Sequence, residues 1–256
     1  MRKKIFKTIL FVILLCLVLQ AVSFAYKYFW FSKLIKASED LVASGNFTQT
    51  YKMAGVEYDS ETGEKQVHYT TTTVKIKDGK KVHIYYDDNG EIASKTYYVG
   101  NTGAMSVYDS EKEFLYYTDN TLSTFNDIYL ENYPVFMMKS YRAFFHVPED
   151  YKMSLREKLW CMSVNFDKIN RQEIYFVTED GKDYIVLRSG GERDYFDKET
   201  LLAVKTVVEG NTYALNGENE YVNYYYEYTQ GDVTDEDMTV PDLTGYTQVV
   251  NGWNEK

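Results

Sequence analysis

The side chains best suited to binding chemistry in this sequence are aromatic residues and methionines at regular spacing. Residues 134–147, PVFMMKSYRAFFHV, bring large apolar side chains together at helical spacing, and residues 221–229 alternate tyrosines along one side of a predicted strand. Long apolar ligands need a large concave surface with few polar anchors, and methionine adapts to variable partners. The candidate ligand-contacting residues are Phe136, Met137, Tyr141, Phe144, Phe145, Tyr224, Tyr226 and Tyr228. The same residues would serve as a core that packs helices on a sheet, and spacing alone leaves both interpretations open.

Catalytic and metal-binding patterns are weak by comparison. The three histidines are His68, His83 and His146, and none has the close spacing of zinc ligands. Residues 87–91 superficially resemble a calcium loop, but aligning Gly90 with the loop glycine puts Tyr85 and Thr96 where Asp and Glu are required. The sequence holds no nucleophile elbow, phosphate-binding glycine loop or Ser-x-x-Lys motif. We therefore predict a protein that is not an enzyme and uses no metal and no cofactor.

Composition favours a folded β-rich chain outside the nucleic-acid-binding classes. There are 26 Tyr, 14 Phe and 3 Trp in 256 residues, against 3 Pro, which suits pleated surfaces rather than disorder. The first 25 residues hold four of the 28 basic side chains and no acidic one. The remaining residues therefore hold 24 basic and 38 acidic side chains and carry a net negative charge. Such a surface would be repelled by nucleic acid, which excludes it as a partner.

Residues 1–27 have the pattern of a membrane anchor. A basic start is followed by an uncharged run from Thr8 to Ala25, close to the roughly 20 residues that span a bilayer. The basic flank predicts a cytoplasmic N-terminus and a single-pass protein whose C-terminal domain lies outside the cell membrane. Small residues around Ala25 leave open a cleaved signal and a secreted protein. Lipid attachment at Cys16 is disfavoured because Leu15 precedes it.

The rest of the chain divides into three parts. Residues 28–45 form a juxtamembrane segment and a first helix that Gly45 ends. Residues 46–246 form one antiparallel β domain of about ten strands, with a helical insertion at about 123–165, and residues 247–256 form a tail. The strands are separated by Asp-Gly and Asn-Gly pairs, which supply the positive φ angles of tight hairpins.

The strand pattern predicts a sheet with one apolar side. Val74 and Ile76 alternate with lysines, and after the next turn Val82 and Ile84 share one face. The same alternation continues through Tyr97 with Val99, Met105 with Val107, and Phe114 with Tyr116. Antiparallel sheets commonly bury one side only, so we expect these residues to lie on a single buried face.

The order of elements resembles the LolA/LolB/LppX superfamily of lipoprotein and lipid carriers across residues 33–246. The resemblance rests on the strand and turn spacing of residues 74–117, on YFDKET at 195–200 followed by a strand at 201–205, and on VTDED at 233–237 with PDL at 241–243. Classical carriers are soluble or lipid-anchored, whereas this chain has the pattern of a transmembrane anchor.

The resemblance implies an α+β fold in which a strongly curved antiparallel sheet, a half-barrel, carries helices on its concave side. It also implies that this concave face holds lipid or the acyl chains of a lipoprotein. We therefore expect a membrane-anchored extracytoplasmic protein that binds a hydrophobic ligand. The alternative is an interaction or sensor module that binds a protein partner in the cell envelope without a ligand.

Overall fold

The computed structural model describes residues 2–58, 62–99, 103–118, 130, 134, 154–208 and 221–249. It opens with a single continuous helix of 42 residues, α1 (Arg2–Ala43). The described residues also form twelve strands, mostly antiparallel with one short parallel pairing, and a further helix, α2 (Leu155–Arg171). The prediction of an N-terminal apolar helix before a large antiparallel β region is confirmed.

The N-terminal half of α1 turns its apolar side chains outward. The large apolar residues from Ile5 to Val22 are exposed. Contact between such apolar surface and water is unfavourable in free energy. Of the described residues, this helix alone is long and apolar enough to span a membrane or to act as a signal sequence. The predicted apolar segment is confirmed to that extent, and the anchor and the cleaved signal remain alternatives.

The second half of α1 packs on protein. Phe31, Leu34 and Leu41 are buried, and α1 ends where Gly45 takes a positive φ of 66°, as predicted. The division predicted at residue 27 corresponds to no break in the helix. A helix in the membrane and a helix on the domain can be continuous, because the backbone hydrogen bonds are satisfied in the same way in both environments.

The chain forms two compact units, which we describe separately. The larger unit comprises residues 38–133 and 203–256. Its strands are β1 (Asn46–Tyr58), β2 (Lys65–Lys77), β3 (Lys80–Tyr86), β4 (Ile92–Val99), β5 (Gly103–Tyr108), β6 (Glu113–Thr118), β10 (Ala203–Val208), β11 (Tyr221–Gln230) and β12 (Thr247–Gln248). Their order in the sheet is β12-β6-β5-β4-β3-β2-β1-β11-β10. The strands before and after the predicted insertion therefore pair through β1 and β11.

The smaller unit comprises residues 1–37 and 134–202. Its strands are β7 (Glu173–Glu179), β8 (Lys182–Ser189) and β9 (Glu192–Asp197), paired in that order. The Trp30 ring of α1 meets Phe176 of β7 edge-on at 5.3 Å, and the Lys27 Nζ atom donates a hydrogen bond of 3.0 Å to the carbonyl of Asn170. Ser154 caps α2 in a reciprocal arrangement with Glu157.

The predicted hairpin turns form as the sequence indicates. Asp78 and Gly79 both have positive φ angles, 49° and 77°, as a two-residue turn requires. Asp180 and Gly181 repeat this geometry with 51° and 76°. The turn within YFDKET is closed by the Asp197 carboxylate, which accepts hydrogen bonds from the backbone amides of Glu199 and Thr200. Residues 55–58 and 65–66, although mostly polar, belong to the strands β1 and β2.

The pairing register of the larger unit defines two faces. Face 1 carries Phe47, Gln49, Tyr51, Met53, Val74, Ile76, His83, Tyr224, Tyr226 and Tyr228. Face 2 carries Thr50, Lys52, Tyr69, Lys75, Val82, Ile84, Tyr97, Met105, Val107, Phe114, Tyr116 and Tyr225. The predicted series from Val82 through Phe114 does share one face. Val74 and Ile76 lie on the opposite one, so the prediction of a single apolar side is wrong.

The predicted strong curvature is also wrong, since the sheet is not strongly curled. Curling needs bulges or glycine kinks that bend neighbouring strands together. The β1–β2 ladder runs without a register shift along all 13 residues of β1. The shifts in the described ladders of this unit are isolated ones, at Tyr85/Tyr86 and at Thr206/Val207. The predicted insertion up to residue 153 lies outside the described residues, apart from Leu130 and Pro134, so the proposed position of its helices remains a prediction.

The C-terminal residues 231–246, here the closing segment, pack on face 2. Val233 and Met238 join the buried cluster of strand residues on that face. The Asn46 side chain accepts a hydrogen bond from the Val233 amide at 3.1 Å and donates one to its carbonyl at 3.0 Å. Two ion pairs add to this, Lys75–Asp237 at 2.5 Å and Lys77–Asp235 at 2.8 Å. β12, which lies within the predicted tail, then pairs with β6 in parallel.

Asp237 is expected to stabilise this packing through its charge. Burial raises its pKa, but hydrogen bonds from Lys75 and Thr234 outweigh burial and bring the pKa from 3.8 to about 2. We expect Asp237→Asn to lower the free energy of unfolding by about 2 kcal/mol at pH 7. The contribution is complete above the unfolded pKa of 3.8 and is lost as the pH falls through about 2, so the difference should roughly halve at pH 3.

Urea unfolding of both proteins in detergent micelles would measure this difference. The control is Glu236→Gln, which changes an exposed neighbour and should shift the free energy by less than about 0.5 kcal/mol. Equal destabilisation by the two substitutions would show that the ion pair is not the cause.

Candidate functional site

The tyrosines predicted on β11 share one face of the sheet. Tyr224, Tyr226 and Tyr228 lie opposite Met53, Tyr51 and Gln49 of β1 respectively. The rings of Tyr224 and Tyr226 stack with centroids 5.9 Å apart. The predicted common face of these three tyrosines is therefore confirmed.

The two ends of this tyrosine row differ in exposure. Tyr226 and Tyr51 are buried, whereas Tyr224 is half-buried and Met53 is 40% exposed. Face 1 is thus filled towards the start of β1 and accessible around Met53. Its accessible part offers a thioether and an aromatic ring, which suit an apolar ligand.

The other five predicted contact residues are Phe136, Met137, Tyr141, Phe144 and Phe145. They lie outside the described residues, and so does His146. Their meeting with the tyrosine row therefore remains a prediction.

A buried polar row crosses face 1 on β3 to β5. His83 is 5% exposed, and its Nδ1 atom lies 3.3 Å from the hydroxyl of Tyr85. Thr96 and Ser106, on the next two strands, share a hydrogen bond of 2.7 Å. Burial and then the charge of Lys81 lower the pKa of His83 to about 3 from an ordinary 6.5. The imidazole is therefore neutral at physiological pH and fits a structural role.

An open groove lies on face 2, where sequence reasoning placed no site. Its volume is about 270 Å³, and its lining residues are Thr50, Lys52, Tyr69, Tyr225 and Glu227. The rings of Tyr69 and Tyr225 tilt at 56° to each other with centroids 5.8 Å apart. Burial and then the neighbouring Tyr225 raise the pKa of Tyr69, so its phenol stays protonated at physiological pH.

The alternation that identified Tyr224, Tyr226 and Tyr228 on β11 does not predict the groove on face 2. Tyr225 sits between two of them and points to the opposite face, and Tyr69 lies in a threonine-rich strand. The available signal was that both tyrosines occupy the polar side of their strands, beside Lys52 and Glu227. A tyrosine on a polar face has no core to fill and is a candidate for contact with another molecule.

Comparisons with known proteins leave the family open. No family model matches the chain, and no curated protein does. Among solved structures, one similar chain is an uncharacterized conserved protein from Thermus thermophilus, with a TM-score of 0.41 and 8% sequence identity. The match covers 85% of this chain and 97% of that one. The resemblance to the LolA/LolB/LppX superfamily remains a prediction.

Proposed function

We propose that this protein is a membrane-anchored extracytoplasmic domain that binds a hydrophobic ligand, either lipid or the acyl part of a lipoprotein. The ligand would bind on face 1 around Met53 and Tyr224, where the tyrosine row opens to solvent. The function is binding without catalysis, and the protein would act beside the membrane that holds α1.

The observation that carries the proposal is the exposure of apolar residues on two separate parts of the chain, the first half of α1 and face 1 around Met53. The large apolar side chains from Ile5 to Val22 are exposed. Burying apolar surface is favourable by about 25 cal/mol of free energy per Å², so their transfer from water into a bilayer would be favourable. Insertion of this part of α1 into a bilayer would keep the domain at the lipid surface. Its basic start favours a cytoplasmic N-terminus and an external domain.

The ligand side of the proposal is supported by the chemistry of face 1. Met53 is 40% exposed and lies opposite the half-buried Tyr224, whose ring stacks on that of Tyr226. Such a surface offers dispersion contacts with few directional demands, which suits acyl chains that vary in length. The five insertion residues predicted to face it would enlarge the same apolar surface.

A second candidate is an interaction or sensor module that binds an envelope protein. The observation that favours it is that Tyr51, Val74 and Tyr226 on face 1 are already buried. A filled face leaves less room for a guest. A protein of this kind would show no saturable lipid uptake.

Binding of a fluorescent fatty acid distinguishes the two candidates. We expect saturable binding by the full-length protein in maltoside micelles, and roughly tenfold weaker binding by Tyr224→Ala, because the ring supplies much of the accessible apolar contact. Lipid extraction and mass spectrometry of the purified protein should also recover bound lipid.

The control is Tyr116→Ala, which removes an exposed tyrosine from face 2 and should leave binding unchanged. Lack of both co-purifying lipid and saturable uptake would rule out the hydrophobic ligand. A shortened protein in the culture medium would replace the anchor with a cleaved signal.

A further inference from the structure

The geometry points to a second binding site, the groove on face 2, for a zwitterionic group in which a substituted ammonium lies close to a phosphate, as in phosphocholine. Tyr69, Tyr225 and Glu227 would hold the ammonium, and Lys52 would hold the phosphate. This site is independent of the proposed acyl-binding surface, which lies on the other face of the sheet.

The two rings form the ammonium half of the site. Tyr69 on β2 and Tyr225 on β11 belong to strands on either side of β1, so their backbones are about two strand spacings apart, roughly 10 Å. Their ring centroids are nevertheless only 5.8 Å apart and tilted by 56°. The rings lean together over β1, where Ala54 lies opposite Tyr69 and adds little bulk. Two inclined aromatic faces attract a quaternary ammonium through their quadrupoles.

The charges beside the rings make the groove complementary to a zwitterion. Glu227 follows Tyr225 by two residues on the same face, and Lys52 lies directly opposite Tyr225 on β1. Both side chains are exposed, and within the described part of the chain neither forms an ion pair. One cation and one anion within a few residues match a ligand that carries both signs.

The size of the groove limits what it can hold. Its volume of about 270 Å³ falls below the roughly 300–1,000 Å³ of pockets that bury drug-sized ligands. A long acyl chain would not fit, whereas a compact headgroup would. The lining residues Thr50 and Tyr69 add two hydroxyl groups to the groove, and that of Thr50 shares a hydrogen bond of 2.9 Å with the Thr73 hydroxyl.

Calorimetry with the full-length protein in nanodiscs tests the site. In phosphatidylglycerol nanodiscs, which offer no zwitterion, soluble phosphocholine should bind saturably. Tyr225→Leu should weaken this binding by about tenfold or more. Lys52→Gln should weaken phosphocholine binding but leave tetramethylammonium binding unchanged, and Glu227→Gln should weaken both.

The matched control is Tyr116→Leu, because Tyr116 and Tyr225 lie on the same face and are each 41% exposed. It should bind phosphocholine like the wild type, and circular dichroism should show that all variants are folded. Absence of saturable binding by the wild type, or equal affinity of the Tyr225→Leu variant, would overturn the site. Equal loss in the Tyr116→Leu variant would do the same.

Two sources of the ligand are distinguished by adding phosphatidylcholine to the nanodiscs in equal amount. Competition with soluble phosphocholine supports the site and assigns it to a lipid headgroup. Unchanged affinity supports the site and assigns it to a soluble zwitterion. Fatty-acid uptake on face 1 is measured separately, so failure of either binding site leaves the other intact.

Discussion

Lowering the pH from 7 to 4 is expected to remove about 3 kcal/mol from the free energy of unfolding through His83 alone. The imidazole is buried on face 1, and the groups that face it are Lys81 and Tyr85 on β3 and Tyr98 on β4. Lys81 places its ammonium 4.4 Å from the centroid of the Tyr98 ring. A second positive charge in this row would be both desolvated and repelled.

The sign of the effect follows from the two states of the histidine. Burial and the Lys81 charge depress the pKa of His83 from 6.5 to about 3, so the folded protein holds a neutral ring. The stability that this provides is complete above pH 6.5. Below that value the unfolded chain takes up a proton that the folded chain does not, and stability falls by about 1.4 kcal/mol per pH unit until the pH reaches about 3.

Urea unfolding of wild type and His83→Leu at pH 7 and pH 4 measures this contribution. The variant should lose less stability on acidification, by about 3 kcal/mol, while staying within about 1.5 kcal/mol of the wild type at pH 7. The matched control is His68→Leu, which replaces an exposed histidine on β2 and should keep the wild-type pH dependence. Parallel pH profiles for wild type and His83→Leu would contradict the proposed role of the buried ring.

Phe47→Ala is expected to lower the free energy of unfolding by about 3–5 kcal/mol. Phe47 is the second residue of β1, lies on face 1 opposite Ile76, and both side chains are 0% exposed. Removing the ring loses its transfer free energy and leaves a cavity that close neighbours fill only partly. Thermal or urea unfolding in micelles gives the value directly.

Met53→Ala provides the comparison for this loss. Met53 lies on the same strand and the same face as Phe47, but it is 40% exposed. Its truncation should cost less than about 1 kcal/mol, because solvent already reaches the site. A similar loss in the free energy of unfolding for Phe47→Ala and Met53→Ala would contradict the difference in burial between the two positions.

The sequence by itself determined the local features of this protein. The Asp78-Gly79 pair specified a two-residue hairpin because both residues tolerate positive φ. The uncharged run in α1 predicted an apolar helix long enough to span a membrane or to act as a signal, and the alternation of Tyr224 and Tyr226 predicted their common face. Each of these depends on neighbours along the chain, so spacing and residue type were sufficient.

The register between β2 and β3 explains why the prediction of a single apolar side was wrong, although the length of the turn between these strands fixes that register. A two-residue turn pairs Lys77 with Lys80, so Val74 lies opposite His83, while Val82 lies opposite Lys75. The apolar residues of the two strands therefore point to opposite faces. Register converts a shift of one residue into a change of face, because side chains alternate with a period of two.

Only the tertiary structure decided which surfaces are covered and which stay open. Face 2 is buried at Val82 because Val233 and Met238 return to it from the far end of the sequence. The groove exists because β11 pairs with β1 and brings Tyr225 beside Tyr69, more than a hundred residues away in the chain. Such contacts depend on the order of strands and on long-range packing, which the spacing of residues within one strand does not encode.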